Sequence, residues 1–172
     1  MGRRRGGPPS AGREREQPPE RCGWKLYQWR EFGRALAELV AAVEGLQRDD
    51  PRGYRSHPAT KRLFAIYRLV TEVIPGNPGG PEFQIGNTMG PAFRHWRSAG
   101  FYERHRLFFR FRSDAHAIVF AWVNDEEALR ARGARTDAYS VFSRMLRSGR
   151  PPSDWEALLE ESDRLRLPAE DE

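Results

Sequence analysis

The sequence has very little cysteine and very little lysine. Cys22 is its single cysteine, which excludes an internal disulfide and a cysteine-rich zinc site. Lys25 and Lys61 are the only lysines, so the other 27 of the 29 basic residues are arginines. A guanidinium keeps its charge when partly buried and offers planar donors that match phosphate. The formal net charge of +5 is therefore an excess of guanidinium, to which genomic base composition could contribute.

Long apolar runs and metal-ligand patterns are also missing. The longest purely apolar run, Ala117 to Val123, is far shorter than the roughly 20 residues that a spanning helix needs. No apolar segment follows the N-terminal arginines, so no secretory signal is expected. Four scattered histidines give no ligand spacing for zinc, and we expect neither a metal nor another cofactor. These absences predict a soluble cytoplasmic protein with no membrane partner.

Composition divides the chain into three parts. Residues 1–22 are rich in glycine, proline, arginine and glutamate and predict a disordered basic arm. Residues 166–172 predict a short acidic tail of the same kind. The intervening residues 23–165 are long enough for a single domain with a substantial core.

Two amphipathic helices are predicted in the first half of this domain. Apolar residues from Phe32 to Leu46 fall at helical spacing. In the second helix Ser56 is the predicted cap, Pro58 suits the first turn, and an apolar stripe runs to Ile74. We expect the two helices to form a hairpin that buries stripe against stripe.

Residues 75–91 then form a long loop with five glycines and four prolines. Loops of that length are usually functional or disordered. Along residues 104–112 the apolar period becomes 2, which predicts a strand with one face on the core. A short turn leads into the apolar residues 116–123, a central strand paired antiparallel to the first. The other face of the first strand carries Arg104, Arg106, Phe108, Arg110 and Arg112.

Helical spacing returns after the strands. Thr136 is the predicted cap of a helix over residues 137–148, which Gly149 ends. A last helix begins at residues 153–156, where the spacing matches a capping box. Helices, an antiparallel sheet and further helices together predict the α+β class.

The least balanced segment lies between residues 93 and 112, where six arginines and two histidines face one acidic residue. Aromatic residues alternate with these cations, a pattern that suits single-stranded RNA because phosphates are neutralised while bases stack. The alternative is a solvated strand whose aromatics belong to the core, and for any single aromatic we favour the core. The arginine face as a whole predicts an RNA surface with contacts from Arg94, His95, Trp96, Arg110, Arg112 and Lys61.

Such a surface could also cleave RNA. The 2′-hydroxyl can attack the adjacent phosphate without a metal if a base, an acid and a cation are supplied. Arginine supplies the cation but is a poor proton carrier near neutral pH. The proton carriers must therefore come from His95, His105, Glu103 or Tyr139, although a lone histidine in a strand is more often structural.

Seven short motifs resemble the YhaV family of bacterial type II toxins, a branch of the RelE-like ribonuclease toxins. They occur in the family's order over about residues 23–159. The motifs are Gly23-Trp24-x-Leu26-Tyr27, Ala59-Thr60-Lys61, Gly86-Asn87-Thr88-x-Gly90, Arg104-x-Arg106-Leu107-Phe108-Phe109-Arg110, Trp122-Val123-Asn124-Asp125-Glu126, Thr136-Asp137-Ala138-Tyr139-x-Val141-Phe142 and Pro151-Pro152-x-Asp154-Trp155.

This resemblance implies a RelE-like fold, in which a helical hairpin packs on a twisted antiparallel sheet. It also implies metal-independent cleavage of mRNA, often on the ribosome. The implied partner is a PrlF-type antitoxin, a swapped-hairpin DNA-binding protein that neutralises the toxin and binds operator DNA with it.

The resemblance also implies roles for individual residues. Arg106 matches the arginine that holds the scissile phosphate, and Tyr139 matches a tyrosine that serves as base or stacking group. Asn124 and Asp125 match a strand-end pair, for which we favour helix capping. The resemblance and the arginine face together predict that the catalytic residues are Arg97, Arg104, Arg106, His105 and Tyr139.

The sequence departs from the family pattern at three positions. Ser98 and Gly100 stand where relatives carry basic residues, and one lost cation at a scissile phosphate costs on the order of 3 kcal/mol of barrier by analogy with an oxyanion donor. Arg97 could compensate by turning inward. His105 replaces a tyrosine with a group that titrates near neutrality.

Three functions therefore remain open. The first is an RNA-cleaving toxin that inhibits translation. The second is an RNA- or ribosome-binding homologue that has lost catalysis, as the changes at Ser98 and Gly100 suggest. The third is a purely operon-regulating partner of the antitoxin.

Overall fold

The chain folds as a six-stranded sheet with helices on both faces. The computed structural model describes residues 17–168, so residues 1–16 of the predicted arm and 169–172 of the predicted tail lie outside the described residues. The α+β class is confirmed. In chain order the elements are β1 Glu20–Arg21, β2 Trp24–Trp29, α1 Arg30–Asp49, α2 Pro58–Arg68, α3 Ile74–Gly76, β3 Arg97–Phe101, β4 His105–Arg112, β5 Ala117–Val123, α4 Ala138–Arg147, α5 Trp155–Glu160 and β6 Ser162–Arg164.

The sheet is mixed, and the predicted purely antiparallel sheet is wrong. Its strand order is β1-β2-β5-β4-β3, with β6 also paired to β2. The predicted β4–β5 hairpin is confirmed, and β3 extends it as a further antiparallel strand. However, β2 runs parallel to β5, with Tyr27 opposite Val119. A parallel pair needs a long crossover, which α1, α2 and the β3–β4 hairpin provide here.

The predicted helical hairpin is confirmed, with a different cap. The apolar stripes of α1 and α2 meet in a core that includes Leu36, Leu63 and Ile66. The N-cap of α2 is His57, whose ring nitrogen accepts a hydrogen bond from the Ala59 amide at 3.1 Å. The expected Ser56 cap is therefore wrong. After α2 the helix continues as the π-helical segment Leu69–Val73 into α3.

The two C-terminal helices are also capped by aspartates. Asp137 caps α4 by accepting a hydrogen bond from the Tyr139 amide, so the predicted cap Thr136 is wrong. Asp154 caps α5 by accepting from the Ala157 amide, one residue after the serine that begins the predicted capping box.

The sheet separates two hydrophobic cores. One face packs on α1 and α2 through residues such as Leu107 and Phe109 of β4. The other face packs on α4 and α5, where Phe108 of β4 stacks on Phe142 at a ring-centroid distance of 4.3 Å. The prediction that this second face is an open arginine surface is therefore wrong at its centre, because Phe108 anchors α4 there and is fully buried.

Residues on the outer side of both predicted domain boundaries, 23 and 165, make ordered contacts with the domain. Glu20 and Arg21 pair with Lys25 and Trp24, so the described end of the predicted arm forms a strand. At the other end the Arg166 amide donates to the buried Gln28 side chain at 3.1 Å. Across residues 17–168, none of the helices has the length and apolar character needed to cross a membrane.

Candidate active site

One end of the α4-covered sheet face brings together the side chains with catalytic chemistry. Cross-strand pairing places Ser98 opposite Phe108, and Gly100 opposite Arg106, in alternate pairs of β3 and β4. Residues two apart on a strand share a face and lie about 7 Å from each other. Ser98, Gly100 and Arg106 therefore border one region of the surface, next to the N-terminal end of α4.

Tyr139 reaches this region from the first turn of α4. Its hydroxyl forms a hydrogen bond with the Ser98 hydroxyl at 2.8 Å, in which either oxygen can donate. The Tyr139 ring packs edge to face against the Phe108 ring, with ring centroids 5.3 Å apart and an interplanar angle of 80°. This contact fixes the Tyr139 ring. Ser98 is buried, while Tyr139 is partly exposed. The phenol therefore has one fixed partner and an edge that solvent or a ligand can reach.

Arg106 is folded back along the sheet surface. Its Nη1 donates to the carbonyl oxygens of Glu103 and His105, both at 2.8 Å. The guanidinium occupies the space above Gly100, where an added Cβ would lie 3.2 Å from Nη1. Among the described residues these are the hydrogen bonds of its side chain, so Nη2 and Nε can donate to a ligand.

Two further arginines border the site. The Arg104 Nε donates to the Arg130 carbonyl at 3.1 Å, and the Arg130 amide donates to the Arg104 carbonyl at 2.8 Å. The Arg130 guanidinium lies over the Tyr139 ring, 4.6 Å from its centroid. Arg130 was not predicted from the sequence, because it lies in the irregular segment before α4; the arginine-rich residues 130–135 were the available signal.

The positive charge of this site is mostly uncompensated. Across residues 17–168, no carboxylate lies within 4.0 Å of the Arg104 or Arg106 guanidinium. Arg130 is paired, because its Nη1 lies 2.6 Å from the buried Asp137 carboxylate. Burial raises the pKa of Asp137, but hydrogen bonds from Arg130 and two backbone amides outweigh it and hold that pKa below its ordinary value. The site therefore attracts anions through Arg104 and Arg106.

Asn124 and Asp125 build the frame around these arginines. The Asn124 Oδ1 accepts from the Arg106 amide at 2.7 Å, while its Nδ2 donates to the Arg104 and Ala128 carbonyls. Asp125 caps the short 3-10 turn Glu126–Ala128. Capping is thus confirmed for Asp125, whereas Asn124 joins the start of β4 to the segment that carries Arg130.

We refer to Ser98, Gly100, Arg104, Arg106, Arg130 and Tyr139 as the Arg106–Tyr139 site. Known proteins resemble this chain over most of its length. A family model described as a toxin with endonuclease activity, of a toxin-antitoxin system, matches residues 26–163. The ribonuclease toxin YhaV of Escherichia coli K12 is 41% identical over 148 residues, which cover 84% of this chain and 96% of that protein.

The chain belongs to the YhaV toxin family. Toxin YhaV of Escherichia coli O6:H1 matches with the same identity and the same coverage of both chains. The predicted membership in this family is confirmed, and with it a toxin of a toxin-antitoxin system with an antitoxin as partner. No solved structure matches the chain significantly.

Two predicted catalytic residues of this YhaV-family toxin lie on the opposite sheet face. Arg97 pairs with Phe109 and its guanidinium lies 5.8 Å from the Phe111 ring centroid, on the α1–α2 side. His105 stacks on Phe101 on the same side, with ring centroids 5.0 Å apart. Strand alternation places both away from Arg106, so the expected inward turn of Arg97 and a joint role for His105 are wrong.

His105 instead belongs to a cluster with α2 and the turn after β5. Its Nε2 lies 3.9 Å from a Glu126 carboxylate oxygen, which also pairs with Arg62 at 3.2 Å. Burial is the main effect that lowers the pKa of His105, and Glu126 opposes it. The ring is therefore a structural, mostly neutral group rather than a proton carrier of the site.

Two residues predicted to contact RNA are part of the second core. Trp96 is fully buried and meets Phe142 edge to face at 5.1 Å, so its ring cannot stack on a base. Arg110 lies between the rings of Trp96 and Trp155, each 5.7 Å from its Cζ, and donates to the Ser153 carbonyl. Burial lowers the pKa of Arg110 to about 10.

The remaining predicted RNA contacts lie outside the Arg106–Tyr139 site. The Arg94 Nε donates to Asn87 at 2.7 Å in the loop before β3. His95 lies at the surface next to Arg110, and partial desolvation of its ring together with that charge lowers the pKa of His95. Arg112 pairs with Asp114 at 2.7 Å beyond the other end of β4. Lys61 is exposed on α2, where its carbonyl accepts from the Tyr102 hydroxyl.

Proposed function

We propose that this YhaV-family toxin is an endoribonuclease that cleaves mRNA without a metal ion. In the proposed reaction the 2′-oxygen attacks the adjacent phosphorus and the bond from phosphorus to the 5′-oxygen breaks. The products are a 2′,3′-cyclic phosphate and a 5′-hydroxyl. The observation that supports this proposal is the Tyr139 hydroxyl, bound to Ser98, at the same end of the sheet face as two guanidiniums that have no carboxylate partner within residues 17–168.

Each residue of the site has a proposed role. Arg106, through Nη2 and Nε, holds the non-bridging oxygens of the scissile phosphate, and Arg104 contacts the same or the next phosphate. Both stabilise the negative charge that grows in the transition state, a contribution typically worth on the order of 3 kcal/mol per donor. Tyr139 takes the proton of the 2′-hydroxyl while its own phenolic proton passes to solvent, and the departing 5′-oxygen takes a proton from solvent.

The changes at Ser98 and Gly100 favour a slow enzyme and keep a second candidate in view. Neither position carries a cation, and Ser98 binds the hydroxyl that should act on RNA. An RNA- or ribosome-binding homologue without catalysis would have the same arginines. Measuring RNA binding and RNA cleavage separately distinguishes the two functions.

The test uses the purified chain, a defined RNA and a chelator. We expect cut products from the unchanged protein and at least about hundredfold slower cutting by Arg106→Ala. Arg112→Ala is the matched control, because it removes an arginine from the same strand but outside the site. Binding without any cut product from the unchanged protein would favour the non-catalytic function.

We also propose the finer identity of the partner. The antitoxin is a PrlF-type swapped-hairpin protein that neutralises the toxin in the cytoplasm and carries it to operator DNA. Expression of the chain should arrest growth and deplete mRNA, and co-expression of the adjacent small gene should restore both. Growth and mRNA that stay intact without the partner would contradict the toxin function.

A further inference from the structure

Asp137 supports Tyr139 through hydrogen bonds of both its carboxylate oxygens. One carboxylate oxygen accepts from the Tyr139 amide at 3.0 Å and thereby caps α4. The other oxygen accepts from the Arg130 Nη1 at 2.6 Å and from the Ala131 amide at 2.7 Å. A single buried carboxylate therefore fixes both the start of the helix that carries Tyr139 and the guanidinium that covers its ring.

The Tyr139 ring is held between two groups. The Arg130 guanidinium lies over the ring at 4.6 Å, and Phe108 contacts it edge to face at 5.3 Å. A cation over an aromatic face is attracted to the ring, and more strongly where solvent is excluded. With the ring fixed in this way, its hydroxyl is directed at Ser98.

Arg130 differs electrostatically from the other arginines of the site. Its side chain is 19% exposed and is paired with a carboxylate that is 3% exposed. The pair has no net charge, so it adds little attraction for a phosphate. Arg104 and Arg106 have no such partner among the described residues, which makes them the phosphate ligands.

We infer that Arg130 is a positioning residue for catalysis, held by Asp137, which fixes the Tyr139 hydroxyl relative to the phosphate-binding arginines. Two hydrogen bonds, from the Arg104 Nε to the Arg130 carbonyl and from the Arg130 amide to the Arg104 carbonyl, join the ring support to the phosphate site. This inference rests on the proposed function of Tyr139. It predicts that loss of Arg130 slows the chemical step and leaves RNA binding nearly unchanged.

The kinetic test replaces Arg130 by methionine, which keeps length but removes charge and planarity. We expect kcat to fall at least about tenfold, because misplacement of a reacting group by about 1 Å costs up to 10²-fold, while KM changes less than about twofold. Arg132→Met is the matched control, since Arg132 is exposed in the same segment and outside the site. Arg130→Lys, which can still pair with Asp137, should recover part of the rate.

A double-mutant cycle tests whether Arg130 acts through Tyr139. In a Tyr139→Phe background, Arg130→Met should have almost no further effect on kcat, because the hydroxyl that it positions is gone. An equal loss in both backgrounds would overturn the inference. So would a change confined to KM, which would make Arg130 a phosphate ligand.

A spectroscopic measurement separates failure of this inference from failure of the proposed function. The protein is labelled with 3-fluorotyrosine, and the Tyr139 resonance among its five tyrosines is assigned from Tyr139→Phe. Arg130→Met should shift and broaden this ¹⁹F signal, whereas Arg132→Met should not. If the unchanged protein cuts no RNA, the proposed function fails while this readout still tests the positioning; an unaltered Tyr139 signal in Arg130→Met overturns the inference in either case.

Discussion

At the scale of single residues, Gly100 leaves a space on β3 that the Arg106 guanidinium fills. An added Cβ would lie 3.2 Å from the Arg106 Nη1 and 3.4 Å from its Cζ, so the guanidinium would have to move. The position of the Arg106 guanidinium therefore depends on the lack of a side chain at Gly100. The Arg106 guanidinium from the neighbouring strand thus occupies the place that a side chain at position 100 would take.

Gly100→Ala should separate stability from activity. Gly100 is not among the glycines with a left-handed backbone, so its backbone accepts alanine, which should stabilise the fold by up to about 1 kcal/mol through the unfolded chain once the Arg106 guanidinium has moved. The displaced Arg106 should lower RNA cleavage about threefold to tenfold. Thermal unfolding and cleavage rates measure the two effects. Unchanged cleavage would show that the space above Gly100 is not needed by Arg106.

His105 gives the fold a dependence on pH. Burial lowers its pKa from the ordinary value of 6.5, so the unfolded chain binds the proton first. His105 therefore contributes its full stabilisation above pH 6.5. This contribution is lost as the pH falls from 6.5 toward the lower pKa that His105 has in the folded protein. His105→Tyr removes this titration and should reduce the loss of melting temperature between about pH 8 and about pH 5. An unchanged loss would contradict the assignment, because His95 alone would then account for it.

At the scale of elements, Arg110 joins the connection between α4 and α5 to the sheet. The guanidinium lies between Trp96 and Trp155 and donates to the Ser153 carbonyl, just before the Asp154 cap of α5. A residue expected to face RNA thus serves as an internal clamp. The predicted and the observed positions of Arg110 on β4 are the same. The difference is that a helix covers Arg110 in the structure.

Arg110→Ala should loosen this connection. The variant loses two contacts between cation and ring and one charged hydrogen bond, so we expect a free energy of unfolding lower by about 2 kcal/mol or more. Arg112→Ala, two residues along and paired in solvent with Asp114, should leave the melting temperature nearly unchanged. Similar melting temperatures for both variants would contradict the clamp.

At the scale of the whole molecule, the helices and strands with a regular sequence pattern were predicted correctly. Apolar patterning predicted α1, α2, β4, β5 and α4, and the spacing of a capping box predicted α5. The strand β2 was missed because its place depends on pairing with β5, more than ninety residues away in the chain. The caps Ser56 and Thr136 were wrong because the next residue in each case offered the better acceptor.

The candidate site was predicted in part for similar reasons. Arg106 and Tyr139 followed from the family resemblance, and the fold places them at one end of the same sheet face. Strand alternation already separated His105 from Arg106, and the same rule separates Arg97. Arg130 could not be found from periodicity, because it lies in an irregular segment whose position depends on Asn124 and Asp137.

The most direct test of cleavage at this site follows one defined RNA through incubation with the purified toxin in chelator. We expect products with 2′,3′-cyclic phosphate and 5′-hydroxyl ends, and no cut where a 2′-deoxynucleotide replaces the attacking residue. Arg106→Ala should slow the same cut at least about hundredfold. Cleavage that survives the 2′-deoxy substitution, or that Arg106→Ala leaves at its full rate, would contradict cleavage by the Arg106–Tyr139 site.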